Sequence, residues 1–223
     1  MSSCVGTNVG ATSPARSPRL CGMSTLDFDH PPREPLELAK AWLEHATKST
    51  GLPNPNAMTL ATVDADGGPS ARIVLLRGLD ENGALFFTNY RSRKGRALGA
   101  HPRAALVLHW DVLERQIRIE GSVSRATAEE SDGYWASRHR DSQIGAWASQ
   151  QSEALESREA LVQANADFAQ RFEGQPVPRP EHWGGFRVAL ENVEFWEGKP
   201  ARVHDRIVYT ADGGGWKIRR LSP

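Results

Sequence analysis

Short apolar stretches closed by turn residues recur along most of this chain, and that rhythm limits its possible folds more than any other feature. Met58 to Val63 is apolar and β-branched, Asp64-Ala-Asp-Gly-Gly68 has tight-turn chemistry, and Ser70 to Leu76 follows as a partner strand. Asp80-Glu-Asn-Gly83 turns the chain into Ala84 to Asn89, so sequential antiparallel pairing predicts a three-stranded meander. Ala104 to Trp110 and Gln116 to Val123 alternate as further strands. Phe186 to Trp196, Ile207 to Thr210 and Trp216 to Arg219 supply the rest, the last two joined by Asp212-Gly-Gly-Gly215. Helical spacing begins at Pro35, with Leu36, Ala39, Trp42, Leu43 and Ala46 on one stripe. It returns in the basic run Tyr90 to His101, in Thr127 to Ser137 behind a Thr127 cap, and in Leu155 to Phe172. Gln175 to Pro180 is too rich in proline to be regular. Roughly seven or eight short strands with a few helices predict a mainly β fold, an antiparallel barrel with flanking helices. The absence of βαβ alternation and of a Gly-rich strand-to-helix loop argues against a Rossmann-type site.

A length of 223 residues suits one domain with an appendage. Residues 1–30, rich in Ser, Gly, Pro and Thr, read as a disordered tail, leaving 31–223 as the single domain. Arg16 and Arg19, with no acid before Asp27, leave a transit peptide open; a biological start at Met23 is the other reading. Basic and acidic residues balance at 27 each, so no global field calls for nucleic acid, and anion recognition must be local. Cys4 and Cys21 both lie in the tail, which denies the core a disulfide framework or a cysteine metal cluster and suits a cytoplasmic setting. No apolar run reaches the roughly 18 to 20 residues of a membrane span.

Glu194 to Arg206 concentrates the chemistry. Gly198 and Pro200 make a turn between two apolar runs, and in an extended segment Arg202, His204 and Arg206 share one face. Two guanidinium forks and an imidazole suit a planar anionic ligand; a solvated charged hairpin is the alternative. Trp196 has a second reading as core.

This stretch resembles the signature of the pyridoxine (pyridoxamine) 5′-phosphate oxidase family. The resemblance continues through Arg72-Ile-Val-Leu-Leu-Arg77, Ser92-Arg-Lys94, Glu114-Arg-Gln116, Ser142-Gln-Ile-Gly-Ala-Trp147, Gln151-Ser152, Trp183-Gly-Gly185 and Arg220-Leu-Ser-Pro223, in order over residues 35–223. It implies a Greek-key, antiparallel FMN-binding split barrel. The implied activity oxidises pyridoxine or pyridoxamine 5′-phosphate to pyridoxal 5′-phosphate with O2, releasing H2O2, and ammonia from the amine. By the same resemblance, FMN contacts fall on Arg72, Ile73, Val74, Leu75, Leu76, Arg77, Phe87, Thr88, Arg93, Lys94, Gln116, Gln151, Ser152, Trp196 and Arg206. Arg72, Arg93, Lys94 and Thr88 are the candidates for a phosphate, although Arg93 and Lys94 also read as a solvated turn. Gln116 and Gln151 suit the polar edge of the flavin ring. Arg77, Tyr134, Arg138 and Ser142 fall on the substrate-phosphate positions, while Arg202, Val203 and His204 face the pyridine, with Arg202 and His204 the catalytic pair. No metal is expected. Because the motifs are scattered and one small barrel offers little concave surface, a homodimer with FMN at its interface is expected. Arg77 stands where the family commonly has Lys, and His139 where it commonly has Pro. Two rivals are a phenazine-type oxidase on the same fold and a flavin- or pyridoxal-phosphate-binding protein without turnover.

Overall fold

Pro35 opens the first helix, where its missing N–H costs nothing, and Glu37 and Lys48 sit near the helix ends whose dipole each complements. The protein is described here from a computed structural model covering residues 26–223. In chain order its elements are α1 (Pro35–Ser49), β1 (Ala57–Val63), β2 (Pro69–Leu75), β3 (Gly78–Asp80), β4 (Gly83–Asn89), α2 (Arg93–Ala100), β5 (Arg103–Trp110), β6 (Arg115–Arg125), α3 (Ala128–Ser137), α4 (Arg140–Ala148), α5 (Arg158–Arg171), β7 (Trp183–Val188), β8 (Asn192–Glu197), β9 (Asp205–Asp212) and β10 (Gly215–Arg220).

The mainly β reading holds: an antiparallel sheet ordered β10-β9-β8-β6-β5-β1-β2 curls around the core, and β3, β4 and β7 pair beside it. The expected hairpin joins β1 to β2 from Ala57↔Leu75 to Val63↔Pro69. The meander does not continue, because β4 pairs with β3 and β7 instead of β2. Leu76 gives its N–H to Asn56 O, its carbonyl accepts from Asn56 Nδ2, and Arg77 N–H goes to Leu85 O, so the chain leaves the first sheet there. Strand β4 is buried at every residue but Phe87, which suits a strand covered on both faces rather than the outer edge of a meander.

The strand expected over Phe186 to Trp196 is two strands. Between them Ala189 N–H donates to Ser122 O and Glu191 N–H to Glu120 O, which carries the chain across β6 from one set of strands to the other. Strand β6 makes this possible: its first part pairs with β8 and its last residues, Val123–Arg125, with β7. Helix α4 went unanticipated, and α5 starts at Arg158 rather than Leu155, since Ser157 caps Ala160 N–H and Leu155 is exposed.

Trp42 of α1 is fully buried, edge-on to Phe195 at 5.2 Å, and Tyr209 closes the other side of Phe195 at 5.8 Å. Truncating such a residue to Ala costs roughly 3 to 5 kcal/mol. Of the 1–30 tail, residues 1–25, with Met23, Arg16, Arg19 and both cysteines, lie outside the described residues. Leu26 and Phe28 pack against the core, so the domain includes residues ahead of 31. No described helix is long and apolar enough to cross a membrane.

Candidate active site

A cavity of about 800 Å³ opens where β2 and β4 meet α3 and α4. Its back wall is aromatic. Phe87 stacks on Tyr134 at 4.2 Å and on Trp183 at 5.5 Å, with interplanar angles of 16° and 7°. Gly185 makes this possible, because a Cβ there would lie 2.9 Å from the Phe87 ring. Against the wall stand two cations. Arg77 lies over Tyr134 at 5.3 Å, and Arg138 lies over Trp183 at 4.7 Å. The second is held by Ser142 O, which accepts from Arg138 Nη2 at 2.9 Å, while Nη1 is buried without a partner among the described residues. Burial lowers the Arg138 pKa, with the Arg77 charge pushing the same way and Tyr134 opposing. A guanidinium with an unpaired buried N–H beside a second guanidinium is a site prepared for an anion.

A second cation, Lys94, lines the same cavity, and Arg72, which does not line it, lies close enough to shift it. Lys94, in the first turn of α2, donates to Gln151 Oε1 at 2.9 Å, and Thr88 reaches the same oxygen at 3.3 Å. Burial pushes the Lys94 ammonium below its ordinary value and Arg72 adds to the shift. Arg72 donates to Leu60 O at 3.2 Å, Thr62 Oγ1 at 2.7 Å and Ser70 Oγ at 2.5 Å, and among the described residues no carboxylate forms an ion pair with either cation, although the Asp64 charge acts on Arg72. Arg93 departs from these two toward Asp64 at 2.5 Å, on the solvent side. Ile73, Val74 and Leu75 of β2 complete the cavity rim, whereas Leu76 is 4% exposed and belongs to the core. Ser152 follows Gln151 with φ +76 and does not line the cavity.

The C-terminal candidates form a separate cluster. Gln116, Trp196 and Arg206 stand opposite one another across β6, β8 and β9, so they project from one face of the sheet. The Trp196 ring lies 4.9 Å from that of His204. Arg206 is paired with Glu194 at 2.9 Å and donates to Ser222 O at 2.9 Å. The expected extended face from Arg202 to Arg206 does not exist, because residues 198–204 are a turn. Ala201 and Arg202 take φ of +57 and +62, and β9 begins only at Asp205. A proline at 200 and the Lys199 N–H bond to His204 Nδ1 favour the tight turn over a strand. Arg202 and Val203 are exposed. None of the residues from Gln116, Trp196 and Arg202 to Arg206 lines the cavity.

Trp183, Asn89 and His139 line the cavity although they were not assigned to it from sequence. Trp183 carried a signal, its place in the family-like Trp183-Gly-Gly185, and His139 only its departure from the family's Pro beside Arg138; Asn89 carried none.

A family profile described as pyridoxamine 5′-phosphate oxidase matches residues 44–172, and one described as the pyridoxine 5′-phosphate oxidase C-terminal dimerisation region matches residues 183–223. The chain is 54% identical over 203 residues to a pyridoxine/pyridoxamine 5′-phosphate oxidase of Burkholderia multivorans, covering 90% of this chain and 94% of that one. It is 53% identical to the protein of the same description in Rubrobacter xylanophilus, over 85% and 87% of the two chains. Among solved structures, PhzG from Burkholderia lata, in complex with tetrahydrophenazine-1-carboxylic acid, superposes with a TM-score of 0.83 at 34% identity, covering 90% of this chain and all of that one. An FMN-binding protein from Nostoc punctiforme shares the fold, with a TM-score of 0.67 at 19% identity over 85% of this chain and 98% of that one.

Proposed function

The chain belongs to the pyridoxine/pyridoxamine 5′-phosphate oxidase family, and from that premise we propose that it oxidises pyridoxine or pyridoxamine 5′-phosphate to pyridoxal 5′-phosphate, with FMN as cofactor and O2 as electron acceptor. The observation that carries the reading is the pair of cationic poles on one aromatic-walled cavity. Two phosphorylated ligands need two anion sites, and Arg77 with Arg138 and Lys94 with Arg72 supply them.

The residues fit FMN. Lys94 has oxygen partners but no ion-paired acid among the described residues, and Arg72 beside it feels only the more distant Asp64 charge, so a phosphate dianion recovers the cost of their burial. Gln116 suits the carbonyl and N–H edge of a flavin ring and Trp196 gives it an apolar neighbour, while Gln151, bonded to Lys94 and Thr88, stands at the phosphate end. When bound, FMN supplies the two-electron redox chemistry and its reoxidation by O2. The chain supplies orientation. Arg138 and Arg77 fix the substrate phosphate, the Phe87–Tyr134–Trp183 wall excludes water from one side, and Arg202 and His204 place the pyridine.

Arg202 and His204 stand outside the cavity in their own chain, on the β8–β9 turn, while β2 is the far edge of the same sheet. A homodimer brings one chain's turn to its partner's cavity. The match of residues 183–223 to a dimerisation region supports this arrangement, because that segment contains the turn.

The likeness to PhzG favours a second reading, oxidation of a reduced phenazine. Incubating the FMN-loaded protein with each phosphorylated vitamer, and separately with a reduced phenazine carboxylate, distinguishes them. Pyridoxal 5′-phosphate formed with an equal amount of H2O2 is expected. Turnover of the phenazine alone, or of neither, overturns the proposal.

A further inference from the structure

Two adjacent non-glycine residues in the left-handed region, Ala201 and Arg202, make the β8–β9 turn a conformation that its surroundings have to impose. Three backbone N–H groups contribute: Gly198 donates to Glu114 O at 2.8 Å, Val203 to Pro200 O at 3.3 Å and Lys199 to His204 Nδ1 at 3.0 Å. A chain of charged side chains then ties the turn to the core. Arg115 of β6, its side chain 8% exposed, lies 4.6 Å over the Trp42 ring of α1. Its Nη1 donates to His45 Nδ1 at 3.3 Å and its Nε to Glu197 Oε2 at 2.9 Å. Glu197 ends β8 and is itself 13% exposed; its other oxygen accepts from Lys199 Nζ at 2.5 Å. The same ammonium stands 3.8 Å from Asp205 Oδ2 at the start of β9, and Asp205 Oδ1 accepts from Arg220 Nη2 at 2.5 Å. One cation thus spans the mouth of the turn.

We propose that Lys199 is a positioning residue for the substrate: anchored on the buried Arg115–Glu197 pair, its ammonium draws the ends of β8 and β9 together and holds Arg202 at the left-handed φ from which its guanidinium meets the pyridine. Lys199 itself does not touch the substrate. An exposed ion pair adds little to stability, because flexible side chains give up entropy for an attraction that water screens. The Lys199 end of the chain is of that kind, at 37% exposure. The Arg115 end is not, since without Glu197 a guanidinium would be left buried and uncompensated. The anchor therefore serves the fold and the ammonium serves the turn. Removing the ammonium changes the geometry of residues 198–204 and leaves the rest of the molecule as it is. The inference rests on the oxidase reading and deepens it by naming what fixes the substrate-facing turn.

The test combines amide hydrogen exchange with two substitutions. Lys199→Met keeps most of the side chain's length and removes its charge. In the FMN-loaded variant, exchange of peptides covering residues 198–204, read by mass spectrometry, should be at least about threefold faster than in wild type, and kcat/KM for the phosphorylated vitamers about tenfold lower. Exchange elsewhere, FMN affinity and the melting temperature should not change. Lys199→Arg keeps donors for both Glu197 and Asp205, so it should bring exchange and kcat/KM back to within about twofold of wild type. A fall in kcat/KM without faster exchange would mean that Lys199 meets the substrate directly, and faster exchange with kcat/KM intact would mean that the reaction does not depend on this clamp. Either result overturns the proposal, as does a Met variant unchanged in both or one that loses FMN. A wild-type protein inactive on both vitamers sinks the oxidase reading and the substrate role with it, while the exchange rates still decide whether Lys199 holds the turn.

Discussion

Lys94 and Arg202 show how differently two cations can be placed for anion chemistry. Lys94 is drawn into the cavity, where burial and Arg72 both oppose its charge and no acid compensates. Replacing it by Met should leave the melting temperature of the flavin-free protein equal or higher, while weakening FMN binding by at least about tenfold, the loss expected for one charge-assisted phosphate contact. Fluorescence titration of FMN alongside thermal unfolding measures both; unchanged affinity would remove Lys94 from the phosphate site. Arg202 sits instead on an exposed left-handed turn. Arg202→Ala should retain FMN yet lose about 2 to 4 kcal/mol of transition-state stabilisation in kcat/KM, and Arg202→Lys should recover little, since an ammonium has no flat face to lay on a pyridine. Near wild-type efficiency in the Ala variant would return this turn to the status of a solvated charged loop.

At the scale of the element, α3 ties the candidate phosphate pole to the sheet. Thr127 and Glu130 form a capping box at its start, and Glu130 also pairs with Arg187, whose guanidinium reaches Asp80 at 2.7 Å. The Arg187 and Thr127 hydrogen bonds hold the Glu130 carboxyl below its ordinary value of 4.5. A depressed carboxyl pKa stabilises the fold fully above that ordinary value, and the contribution is lost as pH falls through the lower folded-state value. Glu130→Gln should therefore lower stability at neutral pH and flatten its fall below about pH 4.5, as read from urea midpoints across pH. An acid limb identical to wild type would show that the carboxylate is not tied to Arg187 in solution. Thr127 was visible as a cap in sequence because a capping box is local chemistry. Helix α4 was not, since only Ile144 is buried along it and His139 gives no side-chain cap. The pairing of β4 with β7 escaped for the opposite reason: 94 residues separate Asn89 from Trp183, and turn chemistry governs only neighbouring strands. The cavity residues on β2 and β4 were legible through their family motif, whereas the Arg202 turn was misread as extended because alternation alone cannot reveal positive φ.

At the scale of the whole molecule, the proposed chemistry falls in two separate places. The cavity opens beside β2, and the turn bearing Arg202 and His204 joins β8 to β9 toward the other end of the sheet. Light scattering of the FMN-bound protein should accordingly show a dimer, and a stable monomer with full activity would contradict the shared site. The division also makes the two kinds of lesion separable between chains. If the proposed site is shared, a Lys94→Met chain still lends its neighbour an intact turn, and an Arg202→Ala chain still offers an intact cavity. At FMN concentrations too low to load the Lys94→Met protein, the two impaired proteins co-expressed or refolded together should complement each other: each mixed dimer concentrates both lesions in one site and leaves its twin whole, so random pairing restores about a quarter of wild-type turnover.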